Sequence, residues 1–352
     1  MHKALRLVVV GTGRMGKIHI YNAATSLKVK LVGVYDIPEK RKEASKLVAE
    51  TGSKLYEDWH SQVLANTEVD AIVIASPTHT HKTLTLDALE SGKSVLCEKP
   101  LGEDFIEIQM CHQKAKEKGL TLLIDWNRRL DPSFMKLVSE VRKGFIGQLQ
   151  IIRVSGRDHP VPPLQFLRHS NSCIFRDMIV HDVDLVRWIM NSEPISVYAT
   201  ATSCLPELAG SGIYDTATAL MEFKNGAVAM LDSARNACYG YDQRLEVFGD
   251  KGMLSVENFP SNGVTWCNEN GIKKEPYVWS FPQRYQISFR NVLEHFADVV
   301  LRKHLPMCSE EDDFGIYKVV SAMSLSASLK RRVFLDEMNE KFLLQQNTNH
   351  KL

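Results

Sequence analysis

The feature that most constrains this chain lies near its start, where a glycine motif directly follows an apolar run. The run Leu5–Val10 leads into Gly11-Thr12-Gly13-Arg14-Met15-Gly16, which opens a helical pattern over about 14–26. In such a G-x-G-x-x-G turn the first glycine permits a tight bend, the second lets the backbone approach a pyrophosphate, and the third allows close helix–strand packing. The helix N-terminus then offers free N–H groups to a phosphate. The motif predicts a dinucleotide site; the alternative is a helix start without a ligand.

A carboxylate stands at the distance along the chain that such a site requires. Asp36 ends the next apolar run, 20 residues after Gly16. A carboxylate there binds both ribose hydroxyls and repels a 2′-phosphate, so the sequence favours NAD over NADP. Lys40 and Arg41 lie nearby and leave NADP open as the less favoured cofactor.

The first part of the chain alternates short apolar runs with longer amphipathic ones. Strands that are buried on both faces and separated by helices indicate right-handed crossovers and a parallel, doubly wound sheet. We therefore predict an α/β Rossmann domain over residues 1–127. Its predicted strands are 5–10, 29–35, 71–75, 94–97 and 121–124, and its predicted helices are 14–26, 39–51, 79–91 and 104–118.

Residues 128–352 show a different pattern, in which several strands follow one another through tight turns. Lys224-Asn225-Gly226 separates two apolar runs, and Asn-Gly is a strong hairpin signal. Gly249-Asp250-Lys251-Gly252 separates another pair. We predict an α+β domain with an open, mainly antiparallel sheet backed by helices. The remaining predicted elements are a strand at 149–157 and helices at 132–143, 175–190, 286–303 and 314–330.

Composition argues against several classes of protein. The 352 residues carry 43 Lys+Arg and 42 Asp+Glu, and this balance gives no support to a nucleic-acid binder. Seven cysteines form no C-x-x-C pair, so we predict neither a disulfide framework nor a metal site. No apolar run reaches the roughly 18 residues of a membrane span. We expect a cytoplasmic protein, with His350-Lys351-Leu352 as a weak peroxisomal alternative.

Lys99 is the first catalytic candidate. Glu98-Lys99-Pro100 directly follows a predicted buried strand. In a doubly wound sheet the carboxyl ends of the strands line the ligand crevice, where a lysine can relay protons beside a nicotinamide. The alternative is a surface lysine before a turn proline.

Asp177 and His181 form a second candidate pair. They are four residues apart on a predicted helix and therefore project from one face. A histidine can take a hydroxyl proton near neutral pH while a carboxylate orients it or binds a substrate hydroxyl. The alternative is a local pair on an acidic helix, and no third residue is spaced to complete a metal site.

Four motifs together resemble one family of nicotinamide enzymes. Gly11–Gly16, Glu98-Lys99-Pro100, Asn127-Arg128-Arg129 and the Asp177/His181 helix resemble the glucose–fructose oxidoreductase/inositol dehydrogenase (Gfo/Idh/MocA) family. The resemblance runs from residue 5 to about 335. The run Tyr239-Gly240-Tyr241-Asp242-Gln243-Arg244 looks most like the inositol 2-dehydrogenases within that family.

The resemblance implies NAD-dependent oxidation of a ring secondary alcohol, most like that of myo-inositol, to a ketone. It also implies a homo-oligomer, a dimer or tetramer, that associates through the open sheet. Lys99, Asp177 and His181 are implied as catalytic residues. Asn127, Arg129, Asp158 and Tyr239 are implied near the polyol or the nicotinamide, and Ser76, Thr78, His81 and Glu98 in the cofactor groove, where His81 could equally be a packing residue. The alternatives are a related NAD(P)-dependent activity on an aldose or another cyclic diol, and a non-catalytic NAD-binding regulator.

One departure from the family leaves the identity of the polyol open. The family usually has a glycine pair shortly before the catalytic helix, where this chain has Ser172-Cys173. Side chains at this place would narrow the pocket or shift the substrate. Pro160-Val161-Pro162-Pro163 and Arg168-His169, just upstream, would reshape the same wall.

Overall fold

The computed structural model describes residues 4–169, 173–339 and 342–343. Its strands are, in chain order, β1 (Leu5–Val10), β2 (Val29–Tyr35), β3 (Lys54–Tyr56), β4 (Ala71–Ile74), β5 (Ser94–Cys97), β6 (Leu122–Ile124), β7 (Leu149–Arg157), β8 (Pro194–Thr202), β9 (Thr216–Phe223), β10 (Val228–Ala234), β11 (Asp242–Gly249), β12 (Gly252–Val256), β13 (Thr265–Asn268), β14 (Gly271–Lys274) and β15 (Val333–Phe334). Its helices are α1 (Arg14–Thr25), α2 (Arg41–Thr51), α3 (His81–Glu90), α4 (Phe105–Lys118), α5 (Pro132–Arg142), α6 (Leu164–His169), α7 (Val180–Met190), α8 (Phe281–Arg284), α9 (Gln286–Arg302) and α10 (Glu310–Leu329).

The chain divides into two compact units. Unit 1 contains Met1–Asp131 and Ile287–Phe314, and unit 2 contains Pro132–Gln286 and Gly315–Leu352. No helix in the described part of the chain combines the length and apolar character that crossing a bilayer requires.

Unit 1 is built on a six-stranded parallel sheet in the order β3-β2-β1-β4-β5-β6. Strands β4 and β5 are buried along their whole length, which explains why they are apolar on both faces. The four buried residues of α1 are Gly16, His19, Ile20 and Ala23, a spacing that turns one helix face to the sheet. The Rossmann prediction is confirmed; the short strand β3 was not predicted.

The boundary predicted after residue 127 differs from the division in the structure. The prediction placed everything beyond 127 in the second domain, whereas Ile287–Phe314 belongs to unit 1. The reason is packing, since Val292, Leu293 and Phe296 of α9 lie in the same hydrophobic core as Leu5 of β1. An amphipathic pattern predicts that a helix has a buried face, but it does not say which core receives that face.

Unit 2 contains a seven-stranded sheet in the order β12-β11-β7-β10-β9-β8-β15. Strands β7 and β10 pair in parallel, and the other neighbours in this sheet pair antiparallel. Both predicted hairpins are present, β9–β10 around Asn225-Gly226 and β11–β12 around Asp250-Lys251. The prediction of a mainly antiparallel sheet is confirmed. The small β13–β14 hairpin was not predicted.

Helix α7 covers one face of this sheet at close range. A Cβ on Gly156 of β7 would lie 2.7 Å from Oδ2 of Asp182, so this position has room only for glycine. Gln243 of β11 donates a hydrogen bond of 3.1 Å from Nε2 to Asp182 Oδ1. The face of the sheet that α7 covers is called the inner face below, and the opposite one the outer face.

Candidate functional site

The glycine turn has the geometry that its sequence predicts. Gly11 has a φ of +95°, and a Cβ there would lie 2.6 Å from the carbonyl oxygen of Ala75. A Cβ on Gly16 would lie 2.0 Å from the carbonyl oxygen of Gly11. At Gly13, by contrast, a Cβ would meet nothing within 4 Å. Two glycines therefore serve the fold, and the third leaves open space beside the backbone.

The start of α1 fits a bound pyrophosphate. Gly13 is its N-cap, and no side chain caps the helix. The first N–H groups of a helix need partners from outside the helix, and an anion satisfies them. Gly13 and Arg14 are exposed, and Met15 is half-buried. The uncapped helix start and the open space at Gly13 together fit the cofactor that the motif predicts.

Asp36 ties the end of β2 to the glycine turn. Its Oδ2 accepts hydrogen bonds from the Thr12 backbone N–H at 2.7 Å and from Thr12 Oγ1 at 2.6 Å. Its Oδ1 accepts one from the Ile37 N–H at 2.8 Å. The carboxylate is thus held at the glycine turn, the place where the sequence predicts contact with a ribose. Of the two nearby cations, Arg41 donates to the backbone oxygen of Glu57 at 2.6 Å.

His81 links the two loops that follow β4 and β5. Its buried ring places Nε2 2.8 Å from the Ser76 carbonyl oxygen and Nδ1 2.8 Å from the Pro100 carbonyl oxygen. Burial lowers the pKa of His81 below its usual value. Ser76 Oγ pairs with Thr80 Oγ1 at 2.6 Å, and Thr78 begins the short helical turn between them. These contacts favour the interpretation of His81 as a packing residue. Its ring connects the loops after β4 and β5 and so supports the wall of the predicted cofactor groove.

Glu98 and Lys99 directly follow β5, at the carboxyl edge of the sheet. Lys99 is half-buried, whereas Glu98 is buried and lies 2.8 Å from the ring Nε2 of His19 on α1. The side chain of Glu98 is therefore engaged inside unit 1, behind the lysine that the resemblance implies as catalytic.

A third titratable group joins this buried pair and was not predicted. Asp125, which follows β6, has an Oδ2 3.4 Å from His19 Nε2, and its side chain is inaccessible to solvent. The ligand atoms of His19, Glu98 and Asp125 all lie within 4.8 Å of one another. Burial first, and then the neighbouring charge and hydrogen bond of Glu98, raise the pKa of Asp125 well above its usual value. Asp125 is accordingly held toward its neutral form beside Glu98. The signal in the sequence was that both acids follow parallel strands, whose ends meet at one edge.

Asn127 and Arg129 bind the distal segment of unit 1. Asn127 Nδ2 donates to Ser288 Oγ at 3.2 Å, and Ser288 Oγ donates to the Asn127 carbonyl at 2.5 Å. Arg129 is buried and donates to both carboxylate oxygens of Asp312, at 3.0 and 2.8 Å, and to the Met307 carbonyl at 3.0 Å. These contacts give both residues a structural part in unit 1, beside the ligand roles that the resemblance implies.

Asp177 and His181 lie at the start of the helix that covers the inner face of the unit 2 sheet. The predicted continuous helix is instead a π-helical turn, Phe175–Ile179, followed by α7. Four residues complete about one turn in either geometry, so both side chains still project from one side. Both are partly exposed. Asp177 accepts a hydrogen bond of 2.8 Å from NH1 of Arg235, a residue that the sequence did not single out.

Asp158 directly follows β7, and Tyr239 shortly precedes β11. The Tyr239 hydroxyl donates to Asp242 Oδ2 at 2.6 Å and accepts from Arg157 NH1 at 3.1 Å. Arg157 and Asp242 alternate with inner-face residues and so lie on the outer face. Burial and the hydrogen bond to Asp242 raise the pKa of Tyr239. The backbone of Asp158 bonds to Ala234 and Ala237, which fixes its loop at the end of β7.

The position where the chain departs from its family is described only in part. Ser172 lies outside the described residues. Cys173 Sγ lies 3.5 Å from Ser324 Oγ, and the Cys173 carbonyl accepts the N–H of Asp177 at 2.9 Å. The residue that replaces a glycine thus packs against α10 and supports the turn that carries Asp177.

Comparison with protein families agrees with this architecture in both halves of the chain. Residues 5–125 match the oxidoreductase family with an NAD-binding Rossmann fold, and residues 134–255 match the GFO/IDH/MocA C-terminal domain. The chain belongs to the GFO/IDH/MocA family. It is therefore an oxidoreductase whose first unit binds NAD, as the glycine motif and Asp36 predicted.

Several relatives and solved structures match this family member over nearly its full length. The chain is 35% identical to a myo-inositol 2-dehydrogenase of Thermotoga maritima, covering 95% of this chain and 99% of the relative. It is 30% identical to an inositol 2-dehydrogenase of Rhizobium meliloti, covering 94% and 98%. The crystal structure of scyllo-inositol dehydrogenase from Lactobacillus casei, with bound NAD(H) and scyllo-inositol, has a TM-score of 0.86 at 31% identity and covers 95% of this chain and 100% of that one.

Proposed function

We propose that the protein is an NAD-dependent inositol 2-dehydrogenase that oxidises a ring secondary alcohol to a ketone. The observation that carries the proposal is the 35% identity to a myo-inositol 2-dehydrogenase over 95% of this chain. The glycine turn, Asp36 and the Asp177/His181 turn support it because each has the local geometry that its role requires.

In this reaction the protein's own residues bind the substrate, orient it and move one proton. NAD, when bound at the start of α1, supplies the acceptor for the hydride. His181 accepts the proton of the reacting hydroxyl, and Lys99 is the second proton-handling group. Asp177, as a carboxylate, accepts a hydrogen bond from a substrate hydroxyl. Orientation and general-base catalysis are the two contributions that this chain makes to the rate.

A panel of substrates tests the proposal directly. The purified protein is incubated with myo-, scyllo- and D-chiro-inositol, with aldoses and with other cyclic diols, each with NAD or NADP, and formation of the reduced nicotinamide is followed by absorbance. We expect the highest kcat/KM with an inositol and NAD. A preference for an aldose would favour the related dehydrogenase activity, and NAD binding without turnover of any polyol would favour a regulator.

We also propose that the enzyme is a homo-oligomer that associates through the outer face of the unit 2 sheet. Tyr198, Leu220 and Met230 stand opposite one another on β8, β9 and β10, and each is more than two-fifths exposed. At the other edge of the sheet, formed by β11 and β12, exposed Phe248 pairs with exposed Met253. Exposed apolar side chains that stand in register on a sheet face are typical of a surface that a partner covers.

The association state can be tested with a charge in the centre of this face. Leu220→Asp places a carboxylate between Tyr198 and Met230, and it should shift the protein to a smaller species in analytical ultracentrifugation. Leu27→Asp, at a fully exposed position in unit 1, is the matched control. Equal sedimentation of both variants and the wild type would contradict association through this face.

We further propose that the enzyme works in the cytoplasm. The support is that all seven cysteines are free thiols, as is usual in a reducing compartment. Fractionation of cells that express the protein with an N-terminal tag tests this, and recovery in a peroxisomal or membrane fraction would contradict it.

A further inference from the structure

Arg235 is a buried cation whose guanidinium reaches the implied catalytic turn. Its NH1 donates to Asp177 Oδ2 at 2.8 Å, and its side chain is 1% exposed whereas that of Asp177 is 34% exposed. Its Nε donates to the Tyr214 carbonyl at 3.4 Å. One carboxylate oxygen of Asp177 is thus held from inside unit 2 while the side chain keeps an exposed part.

The sheet gives Arg235 a rigid base. It directly follows β10, and its backbone N–H donates to the Asp215 carbonyl at 2.8 Å. Alternation along β10 places it on the same face as Leu231 and Ser233, both of which are buried. The guanidinium therefore reaches the π-helical turn from a fixed point on the inner face.

Burial makes this ion pair consequential. A guanidinium stays protonated in proteins, and an isolated charge inside a protein is very costly. The Asp177 carboxylate supplies a counter-charge to this guanidinium. A carboxylate accepts hydrogen bonds and donates none.

We propose that Arg235 is a positioning residue that fixes Asp177 as a charged hydrogen-bond acceptor for a substrate hydroxyl and leaves proton acceptance to His181. The inference rests on the proposed dehydrogenase function. The proposal gives the buried arginine a role. Its hydrogen bond to Oδ2 fixes the orientation of the Asp177 carboxylate, and with it the direction in which the carboxylate meets a substrate hydroxyl.

A double-mutant cycle tests the proposal. Arg235→Gln should lower kcat/KM for the inositol by about 100-fold, since a displacement of about 1 Å in a positioned group has that cost. The Kd for NAD should stay unchanged, because the glycine turn and Asp36 belong to unit 1. In an Asp177→Asn background, Arg235→Gln should reduce kcat/KM by no more than about 2-fold further, because residues that act through one contact are not additive.

A matched control separates positioning from stability. Arg187 is also a buried arginine of unit 2, and its Nε donates to Glu193 at 2.8 Å. Arg187→Gln should lower the urea midpoint of unfolding but leave kcat/KM within about 2-fold, as expected for a contact that serves stability alone. If Arg235→Gln does not fold, the same cycle is run with Arg235→Lys, which keeps the buried charge but not the planar fork.

The outcomes are distinguishable. Wild-type turnover of an inositol, with a loss on substitution of Arg235 that vanishes in the Asp177→Asn background, supports the inference. Full turnover by the folded Arg235 variant, or losses that multiply in the double variant, overturns the inference and leaves the proposed function intact. A wild-type protein that oxidises no polyol refutes the proposed function and the inference with it.

Discussion

Replacing Asp125 with asparagine should remove the pH dependence that its buried carboxyl gives to the stability of unit 1. In the native state burial and Glu98 raise the pKa of Asp125 well above its usual value. Above about pH 5 an unfolded aspartate has released its proton, whereas the raised pKa favours the protonated form in the native state. The native state then binds one more proton than the unfolded state, so stability falls as pH rises, until the pH reaches the native pKa.

The size of the effect follows from one proton. A difference of one bound proton changes the free energy of unfolding by about 1.4 kcal/mol per pH unit. Between pH 5 and 7 the wild type should therefore lose up to about 2.7 kcal/mol relative to Asp125→Asn. Asparagine suits the site because its amide, like a protonated carboxyl, can donate to Glu98.

Urea unfolding at several pH values measures this difference. A shift of the unfolding midpoint at an unchanged m-value reports a change in the free energy of unfolding. Asp58→Asn is the control, because hydrogen bonds from Ser61 lower the pKa of Asp58. Asp58 is ionised in both states between pH 5 and 7, so its variant should run parallel to the wild type there. If the Asp125→Asn curve is also parallel to the wild type, the assignment of a neutral Asp125 is wrong.

Three further predictions concern the cofactor and the chemistry. His181→Ala should lower kcat by about 10²- to 10⁴-fold with unchanged NAD affinity in a fluorescence titration, and near-normal turnover would exclude His181 as the base. Asp36→Ala should lower the preference for NAD over NADP, measured as the ratio of the two kcat/KM values, by at least about 10-fold. Thr12→Ala loosens the same turn but keeps the carboxylate, so it should leave this ratio unchanged. Gly16→Ala should lower the melting temperature sharply because its Cβ meets a carbonyl oxygen, whereas Gly13→Ala should fold normally and weaken NAD binding. Equal melting temperatures of the two alanine variants would contradict the assignment of Gly16 to packing and of Gly13 to cofactor binding.

Local patterns predicted most of the fold, because they report burial directly. Strands β4 and β5 are buried throughout and almost wholly apolar, and β1 and β2 each interrupt an apolar run with one basic residue, so all four were visible in the sequence. Strand β3 has only three residues, and of these only Tyr56 is buried, so it left too weak a pattern.

Contacts between distant residues were invisible to the same reasoning. Nothing in the pattern around Arg235 indicates that its guanidinium meets Asp177, 58 positions away. The strand ends after β5 and β6 were a signal that Glu98 and Asp125 lie close together, but the arrival of His19 beside them depends on how α1 packs on the sheet. The contacts of the Tyr239 hydroxyl with Arg157 and Asp242 could likewise be known only once the pairing of β7 with β11 was known.

The discontinuity of unit 1 affects how the chain folds during synthesis. Its hydrophobic core includes Phe296, and Arg129 and Asn127 find their partners at Asp312 and Ser288. The Rossmann sheet leaves the ribosome first, but the helix that completes its core is made only after nearly all of unit 2. For most of translation the nascent first unit therefore exposes an unfilled apolar surface, a state in which a chain depends on chaperones. A domain whose residues are contiguous in the sequence can fold as it emerges from the ribosome. Unit 1 cannot, because its last segment is synthesised after residues 132–286 of unit 2.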